Sequence, residues 1–363
     1  MQKINICFFN SNKEWGGGEK WHLNSAFQLK EKGYKILIAA NKNSELGIKA
    51  KKINIDCKKI HVSNLSFLNI FKILSISRFF KKNKIDVVVL NLPNDVKTAG
   101  IAAKIAGVKK IIYRRGSAIP IKNSLSNKLI FKYIIDKIIA NSEETKRTLL
   151  AGSKGFLDKK MINVIYNGLD INKFDDYKPK ALYQRIDKEI IFGSAGRLNK
   201  QKGQKYLIEL AKKLDKKNID FKILIAGKGE LKDDLIKYAE KSGVKSKIKF
   251  IGFVENIQDF IESIDIFLLP SIWEGFGYVI AEAMAKKRPV VAFNISSNSE
   301  IIENNKTGFL IKPFDIDEFS EKVQQLILNK ALRTEFGEAG RKKIEKEFNQ
   351  NDKINELVKL IES

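Results

Sequence analysis

The chain has 363 residues, of which 44% are hydrophobic and 30% are charged; this composition supports packed cores and excludes disordered and collagen-like chains. Its length predicts two domains rather than one. The two cysteines, Cys7 and Cys57, exclude a disulfide framework and a cysteine-based zinc site, which favours a reducing cytoplasm.

The formal net charge of +25 is concentrated in the first half of the chain. Residues 1–170 hold 32 lysines and arginines against 12 acidic residues, whereas residues 171–363 hold 35 against 30. A surface of this kind attracts nucleic acid, anionic lipid headgroups or a phosphorylated substrate. No apolar run approaches the roughly 18 residues that span a bilayer, and residues 1–10 lack the features of a secretion signal. We therefore expect neither a membrane-spanning helix nor secretion.

In the first half, apolar runs of strand length alternate with segments of helical period, the pattern of a parallel sheet covered by helices. The run VVVL at 87–90 is continuously apolar, as expected for a strand covered on both faces. In chain order the predicted elements are strand Ile4–Asn10, helix Trp21–Lys32, strand Lys35–Ala40, helix Phe67–Phe80, strand Asp86–Asn91, helix Asp95–Ala106, strand Lys110–Tyr113, helix Asn127–Ile135 and strand Lys137–Ala140.

The same alternation restarts at Ile190, after a polar and charged stretch that has no sustained period. The predicted elements are strand Ile190–Gly193, helix Gly203–Lys216, strand Phe221–Ala226, helix Leu231–Lys241, strand Ile248–Gly252, helix Ile257–Glu262, strand Ile266–Leu269, helix Tyr278–Lys286, strand Pro289–Phe293, strand Phe309–Ile311 and helices Ile316–Leu328, Arg333–Glu347 and Asp352–Ile361.

This pattern predicts an α/β fold of two doubly wound, Rossmann-like domains that face each other across a cleft, with the active site in that cleft. The predicted division is an N-terminal domain at 1–171, a linker at 172–187, a C-terminal domain at 188–345 and a final segment at 346–363. We expect the helix in this final segment to pack back toward the N-terminal domain.

The most informative motif is PSIWEGFGYVIAEAMA at 270–285, where a strand, a loop with Glu274 and a helix with Glu282 follow one another. Gly275 and Gly277 allow a ligand close to the backbone, and the start of the helix offers free N–H groups to an anion. A carboxylate such as Glu282 can accept two hydroxyl groups of a ribose, while Glu274 can reach a reacting sugar. Either glutamate alone is equally compatible with a surface position near a helix start. The combination favours a ligand site.

A second motif, GSAGRLNKQKG at 193–203, also joins an apolar strand to a helix. Its small residues permit a close turn, and Arg197 and Lys202 can stabilise the charge of a departing diphosphate without a metal ion. Two ordinary solvated cations are the alternative interpretation. The motif is not a P-loop, since no Gly-Lys-Ser/Thr ends it, and Gly227-Lys-Gly229 lacks the third glycine of a dinucleotide fingerprint.

In their order and spacing these motifs resemble those of the retaining family 4 glycosyltransferases, which have the GT-B fold and move a sugar from a nucleotide donor to an acceptor. The resemblance covers nearly the whole chain. It is carried by GGGE at 16–19, YNGLD at 166–170, Gly196-Arg197, Lys202-Gly203, AGKGE at 226–230, GFV at 252–254 and the pair Glu274 and Glu282, which have seven residues between them.

The resemblance implies roles for individual residues. Arg197 and Lys202 would hold the donor diphosphate, Glu282 the ribose, Glu274 the donor sugar and the backbone of Gly252, Phe253 and Val254 the base. Glu274, Arg197 and Lys202 would be catalytic. It implies no cofactor and no bound metal; the acidic pair at 315–317 opens a predicted helix and is interpreted as a cap rather than a metal site. The predicted donor-binding residues are Gly17, Gly18, Arg197, Lys202, Gly227, Gly252, Phe253, Val254, Glu274, Gly275, Phe276, Gly277 and Glu282.

One departure from the family concerns a segment of the first domain where many members have a histidine near the reacting sugar. Here the segment reads IYRRGS, and neither of the chain's two histidines lies in it. We predict acceptor contacts from Glu19, Arg114 and Arg115. Either an arginine binds a phosphate or an acidic group at this position, or the position is displaced.

Two stretches, 67–82 and 119–137, mix bulky apolar residues with lysines, as helices that lie on anionic bilayers do. Each is also compatible with a helix whose apolar face packs on the sheet. We interpret 119–137 as the better candidate for contact with a lipid-linked acceptor. Together with the charge of the same domain, it predicts a cytoplasmic protein associated peripherally with the inner face of the cell membrane.

We therefore predict a metal-independent, retaining glycosyltransferase. It would move a sugar from a nucleoside-diphosphate donor, UDP-linked on family frequency, to a cell-envelope glycan or a lipid-linked acceptor. The alternatives are a sugar-nucleotide epimerase or phosphorylase of the same fold, a basic nucleic-acid-binding protein and a catalytically silent partner subunit. The donor motifs disfavour the first and the last. No stacking platform or recognition helix supports the second, so no nucleic-acid partner is expected.

Overall fold

The computed structural model describes residues 4–186 and 188–363, so Met1–Lys3 and Asp187, the last residue of the predicted linker, lie outside it. The chain divides into two compact units. Unit 1 comprises the chain up to Asn167 together with Asn351–Ser363, and unit 2 comprises Gly168–Gln350. The end of the chain therefore belongs to the same unit as its beginning.

Unit 1 is built on a parallel sheet. Its strands are β1 (Asn5–Asn10), β2 (Lys35–Asn41), β3 (Asp56–Ile60), β4 (Val87–Leu90), β5 (Lys110–Arg115), β6 (Lys137–Ala140) and β7 (Ile162–Val164). Within the described residues these seven strands have the order β3-β2-β1-β4-β5-β6-β7. The first helices of the chain are α1 (Gly17–Glu31), α2 (Glu45–Lys52), α3 (Ile70–Lys82), α4 (Pro93–Asp95), α5 (Ile101–Ala106), α6 (Leu125–Tyr133) and α7 (Glu143–Ser153).

Helices cover both faces of this sheet. On one face α1 and α2 pack on a core that includes Phe8 and Leu29. On the other face α3, α5, α6 and α7 pack on a core that includes Phe80 and Phe131. Because β4 is buried between the two layers, its side chains are apolar on both faces.

Unit 2 repeats this architecture. Its strands are β8 (Ile190–Ala195), β9 (Phe221–Ala226), β10 (Ile248–Gly252), β11 (Ile266–Leu269), β12 (Val290–Phe293) and β13 (Gly308–Ile311). Among the described residues these six parallel strands have the order β10-β9-β8-β11-β12-β13. The helices are α8 (Ile171–Asp176), α9 (Lys205–Asp215), α10 (Lys232–Lys241), α11 (Ile257–Glu262), α12 (Tyr278–Ala285), α13 (Asn298–Ile301), α14 (Ile316–Leu328) and α15 (Lys330–Glu347). The predicted fold class of two doubly wound α/β units is confirmed.

The structure corrects the predicted start of α1 and shows a helix, α8, that was not predicted. Helix α1 begins at Gly17 rather than at Trp21, because the two glycines that weaken the helical pattern still form its first turn. Helix α8 lies in the stretch assigned to the linker. It is capped by Asp170 and buries only Ile171 and Phe174, too few residues to give a sustained period.

The Asp315 side chain accepts the backbone N–H of Glu318 at 2.9 Å and caps α14, as predicted.

The last helix, α16 (Gln350–Glu362), packs on the core of unit 1 through Ile354, Leu357 and Leu360. Its end is held by Lys110, whose Nζ donates to the carbonyls of Leu360 at 3.1 Å and of Ile361 at 3.0 Å. A lysine at this place satisfies carbonyl groups that have no partner within the helix. Among the helices that the structure describes, none has the length and apolar character that crossing a membrane requires.

Replacing Leu357 by alanine should lower the free energy of unfolding by about 2–5 kcal/mol, because it removes a core side chain and leaves a cavity. Leu357 is 1% exposed. Urea unfolding followed by circular dichroism measures the change. Leu328, which is 83% exposed at the end of α14, is the control, and Leu328→Ala should change the same quantity by less than about 0.5 kcal/mol. Equal effects of the two substitutions would contradict this packing.

Candidate active site

A buried ion pair lies at the carboxyl edge of the unit 2 sheet. Lys202 ends a 3-10 turn that follows β8, and Glu274 lies in the loop between β11 and α12. The Lys202 Nζ and Glu274 Oε1 atoms are 2.6 Å apart, and the two side chains are 16% and 6% exposed. The loops meet because β8 and β11 are neighbouring strands. The structure thus joins the residues that the sequence assigned to the donor diphosphate and to the donor sugar.

Backbone contacts fix the turn that carries the lysine. The carbonyl of Gln201 accepts the N–H of Ile272 at 2.7 Å, and Gln201 Nε2 donates to the carbonyl of Trp273 at 3.0 Å. At Gly203, where φ is +62°, a Cβ atom would lie 2.1 Å from the carbonyl oxygen of Pro270, so only glycine fits. Gln201 is a positioning residue that the sequence analysis missed, since a single glutamine in a polar turn forms no pattern.

Arg197 lies just before this turn and, in contrast to Lys202, is exposed. The Lys202 side chain crosses Gly196, where a Cβ atom would lie 3.2 Å from the Cδ and Cε atoms of the lysine. The backbone of Arg197 is fixed by Gln204, whose Nε2 donates to its carbonyl at 2.9 Å. The two predicted cations therefore lie on one loop, with Lys202 half-buried and Arg197 exposed.

Close backbone contacts join the loops that follow β8, β9 and β10. Gly227, with φ of +139°, donates its N–H to the carbonyl of Gly252 at 2.7 Å, and a Cβ atom on it would lie 1.9 Å from the carbonyl oxygen of Gly196. A Cβ atom at Gly229 would lie 2.3 Å from the carbonyl oxygen of Leu198. These glycines let three loops pack against one another, while their contact with a donor stays a prediction.

The segment predicted to bind the base lies at the end of β10. Phe253 is exposed, and the Nζ atom of Lys228 lies 5.8 Å from the centroid of its ring. Val254 is half-buried beside it. An exposed aromatic ring with a cation over its face is a surface on which a planar base can stack.

The remaining predicted donor residues surround the start of α12. Gly275 is half-buried, and Gly277 is the residue that precedes the helix. Phe276 is buried and packs edge-on against Tyr278, with ring centroids 5.5 Å apart. Glu282 is buried in the helix. A carboxylate in this position can accept hydroxyl groups only from a ligand that reaches the helix itself.

In unit 1, three side-chain amides surround a buried carboxylate. Glu19 is buried in the first turn of α1, and its Oε1 atom accepts N–H groups from Asn10 and Asn12 at 3.0 Å each and from Asn91 at 3.4 Å. Asn10 ends β1, and Asn91 directly follows β4. The asparagines were not predicted, although their positions after apolar strands were a usable signal.

Arg114 lies in the same part of unit 1. It is buried at the end of β5, and its Nη2 donates to Asn167 Oδ1 at 3.1 Å. Its guanidinium carbon lies 5.2 Å from the ring centroid of Trp21, and its Nη1 lies 3.4 Å from the Cβ position of Gly18. The structure therefore brings Arg114 to the start of α1, where Gly17, Gly18 and Glu19 are found.

Arg115 makes different contacts. Its Nη1 donates to the hydroxyl of Tyr113 at 3.0 Å, and its Nη2 donates to the carbonyl of Ile119 at 2.7 Å. Successive residues of a strand point to opposite faces, and Tyr113 belongs to the core under α3, α5 and α6. Arg115 thus fixes the segment before α6, on the opposite face from Arg114.

His22 is fully buried in unit 1, with its ring 5.4 Å from that of Phe8 and 5.5 Å from that of Trp21. Neither ring nitrogen has a hydrogen-bond partner among the described residues. Burial, and next the charge of Arg114, lower its pKa well below the usual value of 6.5. His22 is therefore neutral in the folded protein at neutral pH.

Two family models match the chain: Glycosyltransferase Family 4 over residues 15–173 and Glycosyl transferases group 1 over residues 180–343. The chain is 30% identical to the UDP-Gal:alpha-D-GlcNAc-diphosphoundecaprenol alpha-1,3-galactosyltransferase of Escherichia coli, over 81% of this chain and 80% of the relative. It belongs to the family 4 glycosyltransferases. The resemblance seen in the sequence motifs is confirmed.

Solved structures of glycosyltransferases share the fold of this glycosyltransferase. The enzyme of Rickettsia africae ESF-5 matches with a TM-score of 0.86 at 24% identity, covering 99% of this chain and 98% of that chain. HepE of Anabaena, in complex with UDP and glucose, matches with a TM-score of 0.85 at 19% identity, covering 99% of this chain and all of that chain. The fold is therefore the GT-B fold.

The buried His22 should make the folding of this glycosyltransferase sensitive to acid. Below pH 6.5 the unfolded chain takes up a proton that the folded chain does not, so the free energy of unfolding falls by up to about 1.4 kcal/mol per pH unit. His22→Leu should remove this part of the pH dependence, as measured by urea unfolding at pH 8, 6 and 5. The exposed His61 supplies the control, His61→Leu, which should unfold like the wild type. The same acid sensitivity in wild type and His22→Leu would contradict the assignment.

Proposed function

We propose that this glycosyltransferase takes its sugar from a UDP-linked donor and transfers it, with retention and without a metal ion, to a cell-envelope glycan or lipid-linked acceptor. The observation that carries the proposal is the pair of cations at the carboxyl edge of the unit 2 sheet: the half-buried Lys202 beside Glu274, and the exposed Arg197. The donor and acceptor classes are supported by the E. coli relative, whose name specifies UDP-Gal and a diphosphoundecaprenol-linked GlcNAc, and by HepE, which binds UDP and glucose.

The two cations suit the departure of a nucleoside diphosphate. The bond between the anomeric carbon and the phosphate oxygen breaks, and a bond from that carbon to the acceptor oxygen forms on the same face. The acceptor proton passes to the departing phosphate, so no strong protein base is required. The Lys202 ammonium has three N–H donors, and one serves Glu274, so it can also stabilise the phosphate charge together with Arg197.

Glu274 also contributes to this step, because it fixes the position of the Lys202 ammonium group. A charge pair with little exposure to water interacts more strongly than the same pair in solvent. The ammonium group is therefore preorganised, which is the condition under which a cation stabilises developing charge efficiently.

We assign the ribose hydroxyls to Glu282 and the base to the backbone of 252–254 and the ring of Phe253.

A transfer assay with the purified protein tests the proposal. UDP-, GDP- and ADP-linked sugars are supplied with a diphosphoundecaprenol-linked GlcNAc acceptor in the presence of EDTA, and NMR identifies the anomer formed. We expect turnover with a UDP sugar and an α-linked product from an α-linked donor. Turnover that appears only after Mg²⁺ or Mn²⁺ is added would contradict metal independence, and a β-linked product would contradict retention.

In the same assay, Arg197→Ala should lower kcat/KM by about 100-fold or more, because the departing phosphate loses a positioned donor. Its unfolding midpoint should not change, since the residue is exposed. Lys200→Ala is the matched control, because Lys200 is an exposed cation in the neighbouring 3-10 turn. Equal values of kcat/KM for the two variants would contradict a contact between Arg197 and the donor. Glu274→Gln should lower both turnover and stability, since it leaves the charge of the half-buried Lys202 without its partner.

An apolar stripe on α6 is proposed to contact the membrane that holds a lipid-linked acceptor. Leu125, Leu129 and Tyr133 recur every four residues and are 73%, 48% and 56% exposed, while Ile130 and Phe131 of the same helix pack into the core. The helix therefore has apolar side chains on its outer face as well as on its inner face. Exposed lysines accompany the stripe at Lys122, Lys128 and Lys132. Apolar side chains flanked by lysines are complementary to an anionic bilayer surface.

A second group of exposed apolar side chains lies at the start of α3. Leu65, Leu68 and Phe71 are exposed there, whereas Ile73 and Phe80 further along pack into the same core as α6. The two groups thus belong to the helical layer on one face of the unit 1 sheet. We propose that this layer faces the inner leaflet of the cell membrane.

Vesicle flotation tests this surface. The wild type should float with vesicles that contain phosphatidylglycerol and much less with neutral phosphatidylcholine vesicles, because each lysine near an anionic surface contributes about 1 kcal/mol. Replacing Leu125, Leu129 and Tyr133 by serine should reduce flotation severalfold. Leu328→Ser removes a comparably exposed leucine from unit 2 and is the control. A wild type that floats with neither kind of vesicle would contradict the proposal.

A further inference from the structure

Asp95 is a fully buried carboxyl group that joins two loops of unit 1. It ends α4, shortly after β4. Its Oδ2 atom accepts the N–H of Leu92 at 3.1 Å and the N–H of Ser11 at 3.2 Å. The Leu92 bond is a common contact at a helix start. The Ser11 bond ties the loop after β1 to a residue 84 positions further along the chain.

The loop held in this way leads directly to the start of α1. Asn12, next to Ser11, donates to Glu19 Oε1 at 3.0 Å, and Asn91, which follows β4, donates to the same atom at 3.4 Å. Asp95 and Glu19 thus hold the segment 11–18 from two sides. This segment ends in the glycines that we assign to substrate binding.

The carboxyl group lies where its charge is unfavourable. Burial raises the pKa of Asp95 to about 7, although hydrogen bonds from Ser11 and Leu92 lower it, and Glu19 raises it further. Among the described residues, its Oδ1 atom has no hydrogen-bond partner, and neither has the Oγ1 atom of Thr98. A residue that only caps a helix does not require such burial.

The backbone beside Asp95 is also unusual. Residues Val96–Gly100 form a π-helical turn between α4 and α5. Single π-helical turns are rare in proteins, and those that exist are often found at functional sites. Buried polar atoms without hydrogen-bond partners destabilise the fold, so their presence calls for another explanation. Both features lie at the carboxyl edge of a parallel sheet, where ligands of such folds bind.

We propose that Asp95 is a positioning residue of this glycosyltransferase. In its ionised form it holds the segment 11–18 in the conformation in which Gly17, Gly18 and Glu19 meet a substrate, and protonation loosens that segment. The inference rests on the proposed role of these three residues in substrate binding. Hydrogen bonds to a charged acceptor are about twice as strong as those to a neutral one, so the Ser11 tether weakens when the carboxylate is protonated.

Other titratable and charged groups face this part of unit 1. Glu19 on α1 disfavours the ionised form of Asp95. Arg114, at the end of β5, lies beside Gly18, and His22 lies one turn along α1 from Glu19. The pKa of His22 lies well below 6.5, so its titration is separated from that of Asp95.

The negative charge of ionised Asp95 orders the segment 11–18 but lowers the stability of the fold. Because the pKa of Asp95 is higher in the folded chain, at about 7, than its ordinary 3.8, the stability of the fold falls as pH rises between these values. Asp95→Asn keeps the shape and removes the charge. It should therefore become more stable relative to the wild type as pH rises, while its neutral amide oxygen holds the N–H of Ser11 more weakly. A purely structural role would not produce opposite changes in stability and activity.

Hydrogen–deuterium exchange and kinetics of the full chain test the proposal. In wild type, protection of peptides covering residues 9–20, corrected for the chemical exchange rate, should fall severalfold from pH 8 to pH 6. Over the same range kcat/KM should fall about tenfold. Asp95→Asn should show low protection at both values and a flat profile, about tenfold below wild type at pH 8. Asp136→Asn is the matched control: its carboxylate accepts the N–H of Ile111 at 2.7 Å at the opposite edge of the sheet.

The two measurements separate this inference from the proposed function. If the wild type transfers no sugar from any donor, the proposed function fails, while exchange still decides whether Asp95 holds the segment. Equal pH dependence of protection in wild type and Asp95→Asn would overturn the inference. So would wild-type activity of Asp95→Asn across the pH range, or an effect of Asp136→Asn equal to that of Asp95→Asn.

Discussion

The contact between Lys202 Nζ and Glu274 Oε1 is the interaction on which the unit 2 site depends. It exists because parallel strands β8 and β11 are neighbours, which brings together loops that are 72 residues apart. Gln201 contacts the loop of Glu274 through its carbonyl and its side-chain amide, and Gly203 lies against the carbonyl of Pro270, so the two loops are held together beside the ion pair. A cation held in this way requires little reorganisation when a neighbouring group gains negative charge.

Unit 1 solves the same electrostatic problem differently. Its buried carboxylate, Glu19, is stabilised by the amide dipoles of three asparagines and not by a direct ion pair. At Asp95, burial outweighs the hydrogen bonds from Ser11 and Leu92, so its ionisation is costly. The two buried carboxylates of unit 1 therefore differ in their donors, which are side-chain amides at Glu19 and backbone N–H groups at Asp95.

The strands of unit 2 and the loops at 193–203 and 270–277 could be predicted from the sequence, because buried parallel strands are apolar runs and the loops between them contain glycines. Strand β3 could not, since DCKKI lies at the sheet edge and has no apolar run. Ser11 and Asp95 carry no motif, and the bond between them depends on the order of the strands. Patterns along the chain thus identify elements, whereas contacts between single residues require the topology.

The exposed positive charges and the buried polar groups of unit 1 respond to different conditions of the solution. Lysines such as Lys128 and Lys132 are exposed on α6, and exposed charges interact only within a screening length of about 8 Å at physiological salt. Glu19 and Asp95 are buried and respond to the hydrogen bonds around them, which added salt does not screen. Surface attraction should therefore depend on ionic strength, whereas the order of the segment 11–18 should depend on pH. Since the two sets of residues do not overlap, substitution of the exposed lysines leaves the hydrogen bonds around Glu19 and Asp95 unchanged.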